Sequence, residues 1–148
     1  MIVLLDAGPL GMITNPRGSF ESDECNSWLR CLLARSVQVL VPEIADYEVR
    51  RELLRAGKAS GIGRLDSLKR TIGYLPLNTE IMLKAAEFWA EARRQGQPAA
   101  HDHALDADVI LAAQAHYVAS RGGDAIIATT NVGHLARFAG ARLWRDID

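Results

Sequence analysis

The run Ile2-Val3-Leu4-Leu5, apolar at every position and closed by Asp6, constrains the fold more than any other stretch. A strand with one wet face alternates apolar and polar side chains. One that is apolar throughout has both faces covered, which is the condition of a central strand in a parallel sheet. Gly8 and Pro9 lie just beyond. Ala125 to Ala128 is a second such run. Val37 to Val41, β-branched and stopped by Pro42, predicts another strand. Tyr74 to Leu77 is a short candidate that Pro76 assigns to a sheet edge, and Arg142 to Trp144 is the last.

Helical spacing fills the intervals. Cys25, Trp28, Leu29, Leu32 and Leu33 define a buried face between about Glu21 and Arg35. Ile44 to Ala56 follows, ended by Gly57, and then a short helix at Leu65 to Arg70 between glycines 61, 63 and 73. Asn78 or Thr79 can cap a long helix striped by Ile81, Ala85, Phe88 and Ala92, with a break at Gly96 to His103. Asp106 or Asp108 opens another that runs to about Ser120, and a short one lies around Val132 to Phe138. Alternating strands and helices predict an α/β fold whose mainly parallel sheet is covered on both faces, in a single domain over residues 1–148.

A chain of 148 residues buries roughly 70% of the surface its unfolded form exposes, so it needs no disulfide. Cys25 and Cys31, six apart on one helix, lie about 9 Å from each other, too far to bond. That usage fits a reducing, cytoplasmic compartment. The N-terminal apolar run is too short for a signal peptide, and no stretch approaches membrane-spanning length. Lys and Arg number 17 against 18 Asp and Glu, a net charge of −1, which argues against a broadly cationic nucleic-acid binder. Asp6-Ala7-Gly8-Pro9-Leu10-Gly11 is not a dinucleotide-binding turn, and no phosphate-cradling Gly-rich motif occurs elsewhere.

Several acids sit at predicted element ends. Asp6 ends the first strand, where ligands bind in open α/β sheets, although an acid there is also an ordinary cap or turn former. Asp106 and Asp108 start a helix, where capping and the helix dipole explain acids without chemistry. Glu48 shares a helix face with Arg51, a plain surface ion pair.

Taken in order, Asp6-Ala7-Gly8-Pro9-Leu10, Pro42-x-Ile-x-x-x-Glu48-x-x-Arg51, Asp108-Val-Ile-Leu-Ala-Ala and Ile126-Ile127-Ala128-Thr129-Thr130-Asn131-Val132-Gly133-His134-Leu135 closely resemble the PIN-domain nucleases. That family includes the toxin halves of VapBC-type toxin–antitoxin pairs, and the resemblance runs from Met1 to Trp144. It implies a three-layer PIN-like fold with strand order 3-2-1-4-5 and metal-dependent cleavage of RNA. It also implies a homodimer and an antitoxin partner. Carried over, the family's acids fall on Asp6, Glu48 and Asp108, with Asp106 as an auxiliary. The fourth position departs from the pattern: Asn131 stands where many members have Asp, and His134 replaces a further Asp. Gly8 stands where a Ser, Thr or Asn is common.

Charge logic agrees with that site. Carboxylates brought together raise one another's pKa unless a cation shares them. Mg²⁺ or Mn²⁺ prefers such all-oxygen sites and can generate an attacking hydroxide from water. Zinc fits less well, since the cysteines lie in another element and His101, His103 and His116 form no recognised ligand set; His101-Asp102-His103 reads as a solvated loop. By the resemblance, Asp6, Glu48 and Asp108 are the expected catalytic and metal-holding acids, with Asp106 and Asn131 in support of the metal. Arg50, Arg51, Thr130 and His134 are the expected substrate contacts, although His134 on a helix surface needs no ligand. Arg55, Lys58, Arg64, Lys69 and Arg70 extend the basic stretch, either as a phosphate-binding border or as a solvated face. Trp28 and Trp89 read as core or subunit interface. The competing readings are a non-catalytic PIN-like module that binds RNA or protein, and a phosphohydrolase, which lacks the Asp-x-Asp its nucleophile would need because position 8 is Gly.

Overall fold

β1 (Ile2–Leu5) lies at the centre of a five-stranded sheet in the order β3-β2-β1-β4-β5. The computed structural model describes residues 1–96 and 102–148; the expectation for His101-Asp102-His103 falls outside the described side chains. β1 pairs with β2 (Gln38–Pro42) and β4 (Ala125–Thr129); β3 (Tyr74–Leu75) and β5 (Ala141–Leu143) form the edges, and every pairing is parallel. The predicted order and direction are those observed. Val3 and Leu5 point into one apolar cluster, with Leu10, Leu29, Leu32 and Val41, and Leu4 points into the other, with Leu111, Ile127 and Leu135. A strand packed on both faces is apolar at every position for this reason.

The first difference is a helix in a stretch to which the sequence reading assigned no element. α1 (Ala7–Thr14) starts directly after β1, with Asp6 as its N-cap. Pro9 is tolerated because the first-turn N–H groups of a helix have no intrahelical partner to lose. α2 (Phe20–Ala34) and α3 (Glu43–Arg55) follow expectation to within a residue or two. α4 (Ala59–Ile72) is longer than predicted, because Gly61 and Gly63 lie inside it rather than before it. A Cβ on Gly61 would sit 2.7 Å from Leu53 Cδ2, so this glycine allows α3 and α4 to approach closely.

α5 (Thr79–Arg94) is capped by Asn78, whose side chain accepts from the Ile81 N–H. α6 (Asp102–Ala119) starts before Asp106 and Asp108, so both are interior positions and neither is a cap. The expected helix at 132–138 shrinks to a single 3₁₀ turn, Leu135–Arg137. Trp144 leaves the last strand and is buried edge-on against Trp28, whose indole N–H donates to the Ile147 carbonyl at 2.7 Å. Trp28 is therefore core, whereas Trp89 is 39% exposed. No helix among the described residues is long and apolar enough to cross a membrane.

Two polar devices fix α3. Asp46, buried on its inner side, takes Arg50 at 2.9 Å and Lys69 of α4 at 3.3 Å, and Arg50 also reaches Asp66 at 2.6 Å. At its start, Pro42 supplies no side-chain cap. The wholly buried Gln114 of α6 compensates: its Oε1 accepts from the Ile44 N–H at 3.5 Å, and its amide donates to the Leu75 carbonyl at 2.8 Å. One side chain thus links α6, α3 and β3. Gln114→Leu, which keeps the bulk and removes both partners, should cost about 2 kcal/mol by leaving buried polar groups unpaired. Urea denaturation checks it; an unchanged midpoint would show that neither bond contributes.

Candidate active site

In an open parallel sheet the crevice forms beyond the carboxyl ends of the strands, where the strand order reverses. Here that point lies between β1 and β4. Asp6, the residue after β1, is placed there by the backbone itself, its N–H donating to the Ala128 carbonyl at 3.0 Å. Both of its carboxylate oxygens are engaged. Oδ1 accepts from the Ala7 N–H at 2.7 Å, and Oδ2 accepts from the Thr129 hydroxyl at 2.6 Å. Asp6 is therefore the helix cap of the bland reading and also a carboxylate fixed at the mouth of the crevice.

Glu48 approaches from α3. Its pKa is pushed up to about 7, first by burial and next by the charge of Asp6; Arg51 opposes this, and Asp108 adds a further push. Asp108 approaches from α6. Burial, then Asp6, raises it to about 6, against a downward pull from His134 and Arg137. Each acid feels Asp6, and Glu48 feels Asp108, so three elements distant in sequence bring uncompensated negative charge to one place. Among the described residues, however, no group of three or more His, Cys, Asp or Glu side chains stands close enough to enclose a metal ion. The donor chemistry fits a hard divalent cation, which would relieve the repulsion that raises Glu48 and Asp108. A closed ligand shell is not formed in this arrangement.

The other predicted residues divide. His134, half-buried, acts electrostatically on Asp108, as the reading of it as a site residue requires. Arg51 lines a cleft of about 470 Å³ between α1 and α3, along with Gly8, Gly11, Glu48, Arg55 and Lys58. Arg50 and Lys69 instead face the buried Asp46, away from that cleft. Asp106 is exposed and borders an apolar groove between α5 and α6, beside Met82 and Trp89. Asn131 is also exposed, and its side-chain oxygen accepts from the Gly133 N–H at 3.2 Å, a turn-forming role. The Thr130 side chain occupies the space above Gly8, where an added Cβ would meet its Oγ1 at 2.7 Å.

Two residues at the site were missed. Thr129 is wholly buried, holds Asp6, and accepts from the Asn131 N–H at 3.0 Å. The pairing of Leu5 with Ala128 sets it directly beside Asp6, a relation legible once the two apolar runs are aligned as neighbours. Arg137 acts on Asp108, and only the 3₁₀ turn that carries it places it there.

No protein-family model and no curated protein sequence matches the chain. Solved structures match its fold over almost the full length. VapBC2 from Rickettsia felis, bound to a DNA fragment from its promoter, aligns with a TM-score of 0.74 over 97% of this chain and 99% of that one, at 17% identity. FitAcB from Neisseria gonorrhoeae aligns at 0.70 over 98% and 99%, again at 17% identity. VapBC-1 from nontypeable Haemophilus influenzae aligns at 0.67 over 99% and 100%, at the same identity. The sheet order and the helices on both faces are those of the PIN-like fold.

Proposed function

We propose that this chain, which carries the PIN-like fold, is a metal-dependent endoribonuclease of the cytoplasm and the toxin half of a toxin–antitoxin pair. The observation that carries the proposal is the electrostatic coupling of Asp6, Glu48 and Asp108 at the strand-order reversal. Asp6, Glu48 and Asp108 would hold Mg²⁺ or Mn²⁺, which supplies charge neutralisation at the phosphodiester and lowers the pKa of water.

The chain's own groups do the rest. Thr129 and the Ala7 N–H fix the carboxylate of Asp6, one bond to each oxygen. Glu48, pushed up to about 7 by burial and by the charge of Asp6 while no cation shares the site, is the acid whose ionisation a bound cation would favour most. His134 and Arg137 lower the cost of ionising Asp108, and the Arg137 guanidinium offers positive charge to a phosphate. Arg51, Arg55 and Lys58 along the cleft continue the contact with the backbone of a longer RNA.

The partner half of the proposal draws on the fold matches, which are VapBC and FitAcB assemblies, one of them bound to promoter DNA. A homodimer belongs to the same proposal. The second reading, a non-catalytic PIN-like module that binds RNA or protein, is favoured by the open arrangement of the acids. Incubating single-stranded RNA with the protein in Mn²⁺, Mg²⁺ or EDTA separates the two. Cleavage that EDTA stops supports the nuclease; RNA retained intact under all three conditions would leave the binding module.

A further inference from the structure

Tyr47 stands one residue before Glu48 on α3 and is 56% exposed. Trp28 packs on Trp144, Phe88 on Phe138, and Tyr74 lies under Lys69 at the sheet edge, while Trp89 and Tyr117 pair with Arg93 and Arg121 on α5 and at the end of α6, elements that do not carry Glu48. No apolar cluster of the described residues includes Tyr47. One face of its ring is covered by Arg51, whose guanidinium carbon lies 5.1 Å from the ring centre. Arg51 is one turn further along α3, half-exposed in the cleft, and its contact with Glu48 at 3.9 Å is a loose ion pair. A carboxylate of the proposed reaction centre, a cation and an aromatic face therefore follow one another within about 6 Å of helix rise.

These groups ask for different things. A guanidinium takes a phosphate oxygen, and an aromatic face takes a flat π-system. A nucleotide presents both, joined through its sugar. In a duplex each base face is already stacked on its neighbour, so the ring of Tyr47 selects an unpaired base.

We infer that Tyr47 and Arg51 form a nucleotide subsite beside the carboxylates: an unpaired base stacks on the uncovered face of Tyr47, and Arg51 takes the adjoining phosphate. The inference rests on the nuclease reading of Asp6, Glu48 and Asp108, and deepens it by assigning recognition of the base next to the cut.

The test uses the full-length protein and a labelled single-stranded RNA, with binding read by fluorescence anisotropy in EDTA so that cleavage does not intervene. The cut position is mapped separately in Mn²⁺. Tyr47→Leu, which keeps apolar bulk but no π face, should raise Kd about tenfold, whereas Tyr47→Phe should bind as the parent does. An abasic nucleotide beside the cut should weaken the parent by a similar factor and barely affect Tyr47→Leu. Melting curves confirm that both variants are folded, as an exposed position allows. An unchanged Kd for Tyr47→Leu, or losses that simply add, would overturn the subsite while RNA cleavage by the parent keeps the nuclease reading. A parent that neither binds nor cleaves RNA overturns both.

Discussion

Asp6→Asn should reduce metal-dependent RNA cleavage by about a thousandfold while leaving the fold intact, whereas Asp6→Ala should lose both activity and stability. The difference follows from the two bonds Asp6 accepts. Asn keeps an oxygen for the Ala7 N–H, and its amide can face a Thr129 hydroxyl rotated to accept, but it carries no charge for a cation. Ala removes the cap of α1, worth about 1 kcal/mol, and strands a buried hydroxyl, worth about 1–3 kcal/mol. For a domain of this size that sum lowers the melting temperature by roughly 10 °C. Thermal melts set beside cleavage assays decide the matter. If Asp6→Asn melts as early as Asp6→Ala, the residue is a structural cap and its assignment to catalysis fails.

In the absence of divalent cations, stability should fall as pH rises from about 5 to 8, and Mn²⁺ should restore it at the upper end. Glu48 and Asp108 have folded-state pKa values of about 7 and about 6, above the ordinary carboxylate range near 4. Between those limits the folded chain binds more protons than the unfolded one, so stability decreases with pH. The contribution is fully present below about pH 4 and is lost as pH climbs through the two folded values. Both groups are partly exposed, and water screens them, so their combined effect is about 3 kcal/mol rather than the full shift. A cation that binds only the ionised, folded site reverses the loss by mass action. Urea midpoints across that range test this. Glu48→Gln paired with Asp108→Asn should flatten the slope and abolish the Mn²⁺ effect; a slope unchanged in that variant would place the titration elsewhere.

The sheet was legible because its strands are short and buried on both faces. Ile2 to Leu5 and Ala125 to Ala128 can hardly be anything else, and the order of the strands came with the resemblance carried by Asp6, Glu48 and Asp108. The helices were legible where a stripe met a cap, as at Asn78, and illegible where glycine or proline serves packing. Pro9 and Gly61 look like breaks, yet one sits where a helix has no N–H partner to lose and the other where two helices touch. Arg50 and Arg51 are neighbours of the same type, and the step of about 100° between them sends the first to a buried acid and the second to the cleft. Thr129 and Thr130 are likewise adjacent and opposite: the strand buries the first against Asp6 and leaves the second exposed. Pattern alone does not give that phase; the register between β1 and β4 does.

The ion cluster on the inner side of α3 carries a consequence for how the site keeps its aim. The apolar contacts of Ala45 and Val49 on that face carry no directional bond. Successive residues are about 100° apart around the axis, so a modest roll would swing Glu48 away from Asp6. Asp46, gripped by Arg50 and by Lys69 of α4, works like a key in a shaft and sets the azimuth of the whole helix. The charges that look redundant on the far side of α3 are what keep the near side pointing at the crevice. Alignment of the acids is thus governed from a location that no substrate touches.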